Sequence, residues 1–398
     1  MKIFDSHEYV QLYRFDKDIR FGIEVCNQFN DTYYQAIPYI SSYPDERIFN
    51  TKYYPFDVLK NIHNIPQNYK VIKLYTNRLL LPFLNTQFAG YFQFSILDTY
   101  KAIIDVKPDI IFESPYTTLT PRSYQTYAAS IKLGIPRVYI DPADIVQKGI
   151  IKNIIGKIER RIVNSTGHII TQSELGKKVF VGYYKVNPSK ISVIPKPFTP
   201  ERFKLGKSRF ELKDKVRIAY IGRFMRDKDP FTFLKVAKSY QGTPDLEFYL
   251  VGDAEKGVDQ IIYNSAKEKY GDYVKFLGSL APNEVSEFFP SVDILIIPDL
   301  TNPPGYSTIL AEAISSGCAL LIGIKGFEKS LPLVEGKHAI YTNPGDVNEI
   351  RTALNSLMHD TEKIKAMKTE NHNLALSFTW KKVAAMYREI LQKAIEER

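Results

Sequence analysis

Val216-Arg-Ile-Ala-Tyr-Ile-Gly222-Arg-Phe-Met-Arg-Asp-Lys228-Asp-Pro230 is the stretch from which the fold follows. Its first six residues form a short apolar run with a single charge, the pattern of a strand covered on both faces, as in a parallel sheet. Gly222 lets the backbone turn at the strand's end, and Pro230 suits the first turn of a helix. Strand, tight loop and helix make half of a βαβ unit. Arg223 and Lys228 put two cations on that loop beside a helix N-terminus, a setting that suits a diphosphate; taken alone, they read equally well as solvated surface charges.

The same rhythm continues downstream. Apolar runs at 246–252, 274–277, 293–298 and 318–324 alternate with helical patterns at 230–240, 258–269, 283–289 and 308–316. That alternation predicts a doubly wound sheet. Upstream, runs at 109–112, 137–140 and 168–171 alternate with helical stretches at 121–133 and 150–164, which predicts a second sheet of the same kind. Between the two lies a polar break, 196–215, with Pro197, Pro200, Gly206 and seven basic residues. The boundary is placed there: an N-terminal Rossmann-like domain at 1–205 and a C-terminal one at 206–398. A final helix at 378–398 lines Val383, Met386, Ile390, Leu391 and Ala394 along one face.

Composition excludes several classes. At 398 residues the chain suits two domains at roughly 150 residues or more each. With 44% hydrophobic and 24% charged residues it is globular. Cys26 and Cys318 are the only cysteines, too few for a disulfide framework, and they fit a reducing compartment. The first sixteen residues lack the basic flank and apolar run of an export signal, so a cytoplasmic protein is expected. The most apolar stretch, 79–97, is broken by Asn85, Gln87, Gln93 and Ser95 and falls short of a membrane span. Residues 1–205 hold 27 Lys and Arg against 18 Asp and Glu, so the whole net charge of +9 lies there, and 206–398 balance at 26 each. The basic half is expected to meet an anionic partner: a phosphorylated acceptor, an anionic membrane at its inner face, or nucleic acid.

A second loop, Pro303-Pro304-Gly305-Tyr306-Ser307-Thr308, leads into Ile309-Leu-Ala-Glu312-Ala-Ile314. Ser307 or Thr308 can cap the helix, leaving N–H groups directed outward for a phosphate. Glu312, set among Leu310, Ala311, Ala313 and Ile314, needs a partner such as a ribose diol.

The ordered set Gly222-Arg223 with Lys228, Val251-Gly252-Asp253, Phe276-Leu-Gly278 with Glu284, Pro298, Gly305 to Glu312-Ala313, Gly317, Pro344-Gly-Asp346 and Phe378-Thr-Trp380 resembles the retaining glycosyltransferases of family four, the group 1 glycosyl transferases. The resemblance covers 165–395. It implies a GT-B fold: two doubly wound Rossmann-like domains, a cleft between them, and a last helix crossing back to the first domain. It also implies transfer of a hexose, with retention, from a nucleotide diphosphate sugar to a hydroxyl of a glycan, lipid-linked or surface glycoconjugate acceptor. On that basis Arg223 and Lys228, with Gly222, would hold the donor diphosphate, Glu312 the ribose, the N–H groups of Gly305, Tyr306, Ser307 and Thr308 the distal phosphate and sugar, and the segment after Gly278, with Leu280, the base. No cofactor and no metal would be required.

The sequence departs from the family at three places. The family's first glutamate, eight positions before Glu312, is Pro304 here, which cannot hydrogen-bond a sugar. The acceptor-side histidine aligns near Pro142, and Glu113, Asp141 and Asp144 are the polar residues available there as acceptor-side catalytic groups. The glycine-rich loop after the first strand is missing from 5–24. Asp16-Lys-Asp18 and Asp227-Lys-Asp229 spell the metal-binding triplet of the other main glycosyltransferase fold, but neither follows an apolar strand directly. Three other readings share these residues: a non-catalytic scaffold or sugar-binding protein, a sugar-nucleotide epimerase, and a nucleic-acid-modifying transferase.

Overall fold

The computed structural model describes residues 1–6, 20–39, 65–75, 77–78, 93–94, 97–113, 121–141, 150–203, 215–254, 257–300, 307–326, 328 and 331–397. The chain forms two compact units, Met1–Ile194 with Trp380–Arg398, and Pro195–Thr379.

The first unit is built on a parallel sheet of seven strands: β1 Lys2–Asp5, β2 Thr32–Tyr39, β3 Tyr69–Tyr75, β6 Ile110–Glu113, β7 Arg137–Asp141, β8 His168–Thr171 and β9 Ile191–Val193, in the order β3-β2-β1-β6-β7-β8-β9. β4 Asn77–Arg78 and β5 Gln93–Phe94 pair as a short antiparallel ribbon. Its helices are α1 Arg20–Phe29, α2 Asp98–Val106, α3 Pro121–Leu133, α4 Ile150–Asn164 and α5 Glu174–Val179. Phe4, Ala36, Leu74 and Ile111 pack one sheet face onto Ile103 of α2 and Ala129 of α3. On the other face Gly22 leaves α1 room to lie against the rings of Tyr33 and Tyr69, which a side chain there would strike.

The second unit carries six parallel strands: β10 Val216–Ile221, β11 Leu246–Val251, β12 Val274–Gly278, β13 Ile294–Ile297, β14 Ala319–Gly323 and β15 Ile340–Thr342. Their order, β12-β11-β10-β13-β14-β15, reverses between β10 and β13. That reversal is where an open sheet of this kind leaves a crevice at its carboxyl edge. Helices α6 Pro230–Lys238, α7 Val258–Tyr270, α8 Pro282–Phe288, α9 Thr308–Ser315, α10 Val347–Met358 and α11 Thr361–Ser377 cover it. Ile218, Leu250 and Leu321 pack on Phe233 and Leu354; Ala219, Leu295 and Leu320 pack on Leu310 and Ile314. Each fully buried aliphatic side chain contributes about 1.5–3 kcal/mol. At the opposite, amino edge, buried Lys368 pairs with Asp293 at 2.7 Å and ties α11 to the start of β13.

Residues 195–203, placed with the first half by the polar break, pack in the second unit. Phe198 and Phe203 enter its core, and the Thr199 amide donates to Ser315 Oγ at 3.0 Å. Burial of these two rings, rather than the prolines and charges around them, sets the division. The last helix, α12 Trp380–Glu396, belongs to the first unit. It starts at Trp380 because Thr379 pairs with Phe198 in an isolated bridge. Val383, Tyr387, Leu391 and Ala394 are buried, Met386 and Ile390 half-buried, and Arg388 Nε donates to Asp31 Oδ2 at 2.7 Å.

Candidate functional site

The loop after β10 alternates exposed and buried side chains. Arg223 is exposed while Phe224, its neighbour, is buried against Phe231 and Tyr263 with ring centroids 5.3 and 5.2 Å away. The Tyr220 hydroxyl donates to the Arg223 carbonyl at 3.1 Å, and burial, reinforced by Asp227 and Asp229, pushes the Tyr220 phenol up and keeps it protonated. Lys228 is half-buried, with Nζ 3.4 Å from Asp227 Oδ2. Asp229 takes a left-handed conformation, φ 47°, and its side chain caps α6 by accepting from the Thr232 amide at 3.2 Å. The Asp227-Lys-Asp229 triplet is thus a charge pair and a helix cap. Among the described residues no group of three His, Cys, Asp or Glu is disposed to hold a metal.

The neighbouring loops close on this one through backbone contacts that require glycine. A side chain at Gly252, φ 126°, would run into the carbonyl of Gly222, and one at Gly323 into the carbonyl of Pro298. The Gly252 amide donates to the Gly278 carbonyl at 2.8 Å. Pro344-Gly-Asp346 links the two central loops: the Gly345 amide donates to the Pro298 carbonyl at 3.0 Å, and Thr232 Oγ1 donates to the Gly345 carbonyl at 3.3 Å. Leu280 is half-buried just before α8, whose first turn is closed by Glu284 accepting from the Ala281 amide at 2.6 Å.

β13 lies beside β10, and α9 follows it. Of the two hydroxyls that could cap α9, Ser307 does so, accepting from the Leu310 amide at 3.1 Å. Pro304, Gly305 and Tyr306 lie outside the described residues. Glu312 is buried, and it has a protein partner that sequence reasoning missed: Arg202 Nη1 donates to Glu312 Oε1 at 2.7 Å. The missed signal is the Glu201-Arg-Phe203 triplet, whose phenylalanine is buried in the second unit. Arg223, Lys228 and Glu312 therefore stand on segments that leave adjacent strands at one sheet edge, with Gly222 and Thr308 at the bases of those segments.

The three acceptor-side residues fare differently. Glu113, at the end of β6, is buried with both oxygens engaged: Arg137 Nη1 donates to Oε1 at 2.5 Å and Thr126 Oγ1 to Oε2 at 2.6 Å. Arg137 is itself fully buried and donates from Nη2 to the Ile162 carbonyl and Ser165 Oγ. An ion pair held this way braces β6, β7 and α4, so the carboxylate expected as an acceptor-side catalytic group has both of its oxygens engaged by protein partners. Asp141 closes β7 opposite Thr171 of β8. Asp16, Asp18, Pro142 and Asp144 lie outside the described residues.

Residues 202–373 match the model of the family described as glycosyl transferases group 1. A D-inositol 3-phosphate glycosyltransferase of Corynebacterium kroppenstedtii is 26% identical over 257 residues, 60% of this chain and 56% of the relative. An Escherichia coli UDP-Gal:alpha-D-GlcNAc-diphosphoundecaprenol alpha-1,3-galactosyltransferase is 22% identical over 67% of this chain and 70% of its own. The chain spans a little over half the length of the first of these relatives. Among solved structures, Anabaena Alr3699/HepE in complex with UDP superposes with a TM-score of 0.72 at 17% identity, over 99% of this chain and 100% of that one.

Proposed function

With residues 202–373 a domain of the glycosyl transferases group 1 family and the two units those of a GT-B fold, we propose that this protein is a retaining glycosyltransferase that takes a hexose from a nucleotide diphosphate sugar. The observation that carries the reading is the meeting of the β10 loop and α9 at the carboxyl edge of β10 and β13, the point where the strand order reverses. Arg223 and Lys228 supply charge where the leaving diphosphate gains it, and the α9 N-terminus adds backbone donors. Glu312 accepts from the ribose, and Leu280 lies in the segment that meets the base. In this reading the diphosphate charge is met by side chains and amides, so turnover requires no metal. The solved complexes of Alr3699/HepE hold UDP and UDP-glucose, which supports a uridine nucleotide as the first donor to try.

The acceptor side follows from charge. α4, α5 and the segment after α5 expose Lys157, Arg160, Arg161, Lys178 and Lys185, with the Arg160 guanidinium 5.2 Å from the centre of the Tyr183 ring. Among the described residues no helix is long and apolar enough to cross a membrane. We propose a glycan or lipid-linked acceptor met at an anionic bilayer surface, a reading supported by the diphosphoundecaprenol-linked substrate in the name of the E. coli relative.

The test is a titration of UDP-, GDP- and ADP-sugars with a donor-hydrolysis assay, run with and without EDTA. Binding with slow, EDTA-resistant hydrolysis is expected. A second reading, a sugar-nucleotide-binding protein without turnover, is favoured by Pro304 and is the outcome if a donor binds and no hydrolysis or transfer is seen. Conversion of donor sugar without acceptor would make it an epimerase.

A further inference from the structure

Arg202 stands seven residues beyond Pro195, where the chain enters the second unit, at the end of the turn Pro200–Arg202. Two anchors fix this segment. The Phe198 amide donates to the Phe378 carbonyl at 2.8 Å, and the Thr199 amide donates to Ser315 Oγ on α9. From there the guanidinium reaches two helices: Nη1 donates to Glu312 Oε1 on α9, and Nε donates to Ser286 Oγ on α8 at 2.9 Å. α8 begins directly after the segment holding Leu280.

We propose that Arg202 is a positioning residue for the nucleotide ribose, acting through Glu312; the inference rests on the donor reading above. The Glu312 side chain is 11% exposed among Leu310, Ala313 and Ile314, and a carboxylate drawn from water in this way is stabilised by a hydrogen-bonded cation. Arg202 provides that cation and occupies Oε1, so the carboxylate's rotamer is fixed before a ligand arrives. Oε2, which has no protein partner among the described residues, is left to accept from the ribose diol. A charge-assisted acceptor held in one direction discriminates a ribose from a sugar lacking a hydroxyl, because the wrong ligand covers that oxygen without supplying a donor to it. The same guanidinium holds the helix after the base segment, so base and ribose contacts keep a common reference.

The experiment uses the full chain with UDP, GDP and ADP, each beside its 2′-deoxy form, and measures binding by calorimetry for the parent, Arg202→Ala, Arg202→Lys and Glu312→Gln. For the nucleotide that binds, the parent should prefer the ribose form by about tenfold. Glu312→Gln and Arg202→Ala should both bring that preference close to unity, and Arg202→Lys should restore most of it. If Arg202→Ala does not fold by thermal melt, Arg202→Gln, which removes the charge and keeps most of the length, takes its place with the same expected loss. A folded Arg202→Ala that keeps the parent's preference while Glu312→Gln loses it overturns the role of Arg202 and leaves the donor reading standing. Unchanged preference in Glu312→Gln overturns both.

Discussion

The hydroxyl of Tyr220 donates to the carbonyl of Arg223 at 3.1 Å, so the strand that leads into the cationic loop also holds the backbone of its first cation. Tyr220 is buried in the core and Arg223 is exposed, and the bond carries the rigidity of one to the position of the other. Tyr220→Phe keeps the ring and removes only this bond. A loss of about 1 kcal/mol in stability is expected, with a fall in kcat larger than any rise in KM, because the loop that meets the developing charge loosens. Denaturant melts and steady-state kinetics check it; unchanged kcat would mean that Arg223 is placed by other contacts.

Glu113 and Arg137 form a brace whose loss should appear as instability. Glu113→Ala strands a fully buried guanidinium, and removing one partner of such a pair costs about 3–5 kcal/mol. The folded fraction should keep its turnover per active site. A stable Glu113→Ala with abolished turnover would return Glu113 to the acceptor side.

Much of this was legible in the sequence and some was not. Val216–Ile221 and the runs after it announced parallel strands, because a strand buried on both faces is apolar throughout, and Pro230 and Gly222 marked the loop between. The brace was not legible: Glu113 ends a strand as a catalytic carboxylate would, and its partner Arg137 is distinguished only by being buried. Arg202 was hidden for a related reason. It lies in a basic, proline-containing segment that reads as a solvated linker, and only the burial of Phe198 and Phe203 draws that segment against α9.

Alkaline pH should weaken the fold in a defined order. Burial pushes the Cys26 thiol up to about 12 and the Tyr341 phenol up to about 12, and raises Tyr33 and Tyr387 as well. A group whose folded pKa is raised stabilises the fold fully below its unfolded pKa. That stability is lost as pH climbs toward the folded value, since the unfolded chain then binds fewer protons. Stability should therefore be level to about pH 8.5 and fall from there, more steeply above about pH 10 where tyrosines ionise in the unfolded chain. Thermal melts between pH 7 and 11 test this, and a flat profile to pH 11 would contradict it.

The exposed cations of α4, α5 and the segment after α5 should bind anionic lipid. Each Lys or Arg near such a surface is worth about 1 kcal/mol, and salt screens it. Sedimentation with phosphatidylglycerol-containing vesicles should capture the protein at low salt and release it at high salt, and Lys157→Glu with Arg161→Glu should abolish capture. Equal indifference to anionic and neutral vesicles would remove the membrane from the account.

The central claim is that one donor is held between the β10 loop and α9, although 84 residues separate Lys228 from Glu312. Each diphosphate contact that tightens in the transition state is worth about 2–4 kcal/mol, or roughly 30- to 1000-fold in rate. The measurement that tests this most directly is donor turnover and affinity in Arg223→Ala, Lys228→Ala and Glu312→Ala, each first shown folded by its melt. The first two should lose turnover by that factor and the third should lose mainly affinity, because a ribose contact is alike in ground and transition states. Folded variants at all three positions that bind donor and turn over like the parent would contradict the claim and move the donor to another part of the molecule.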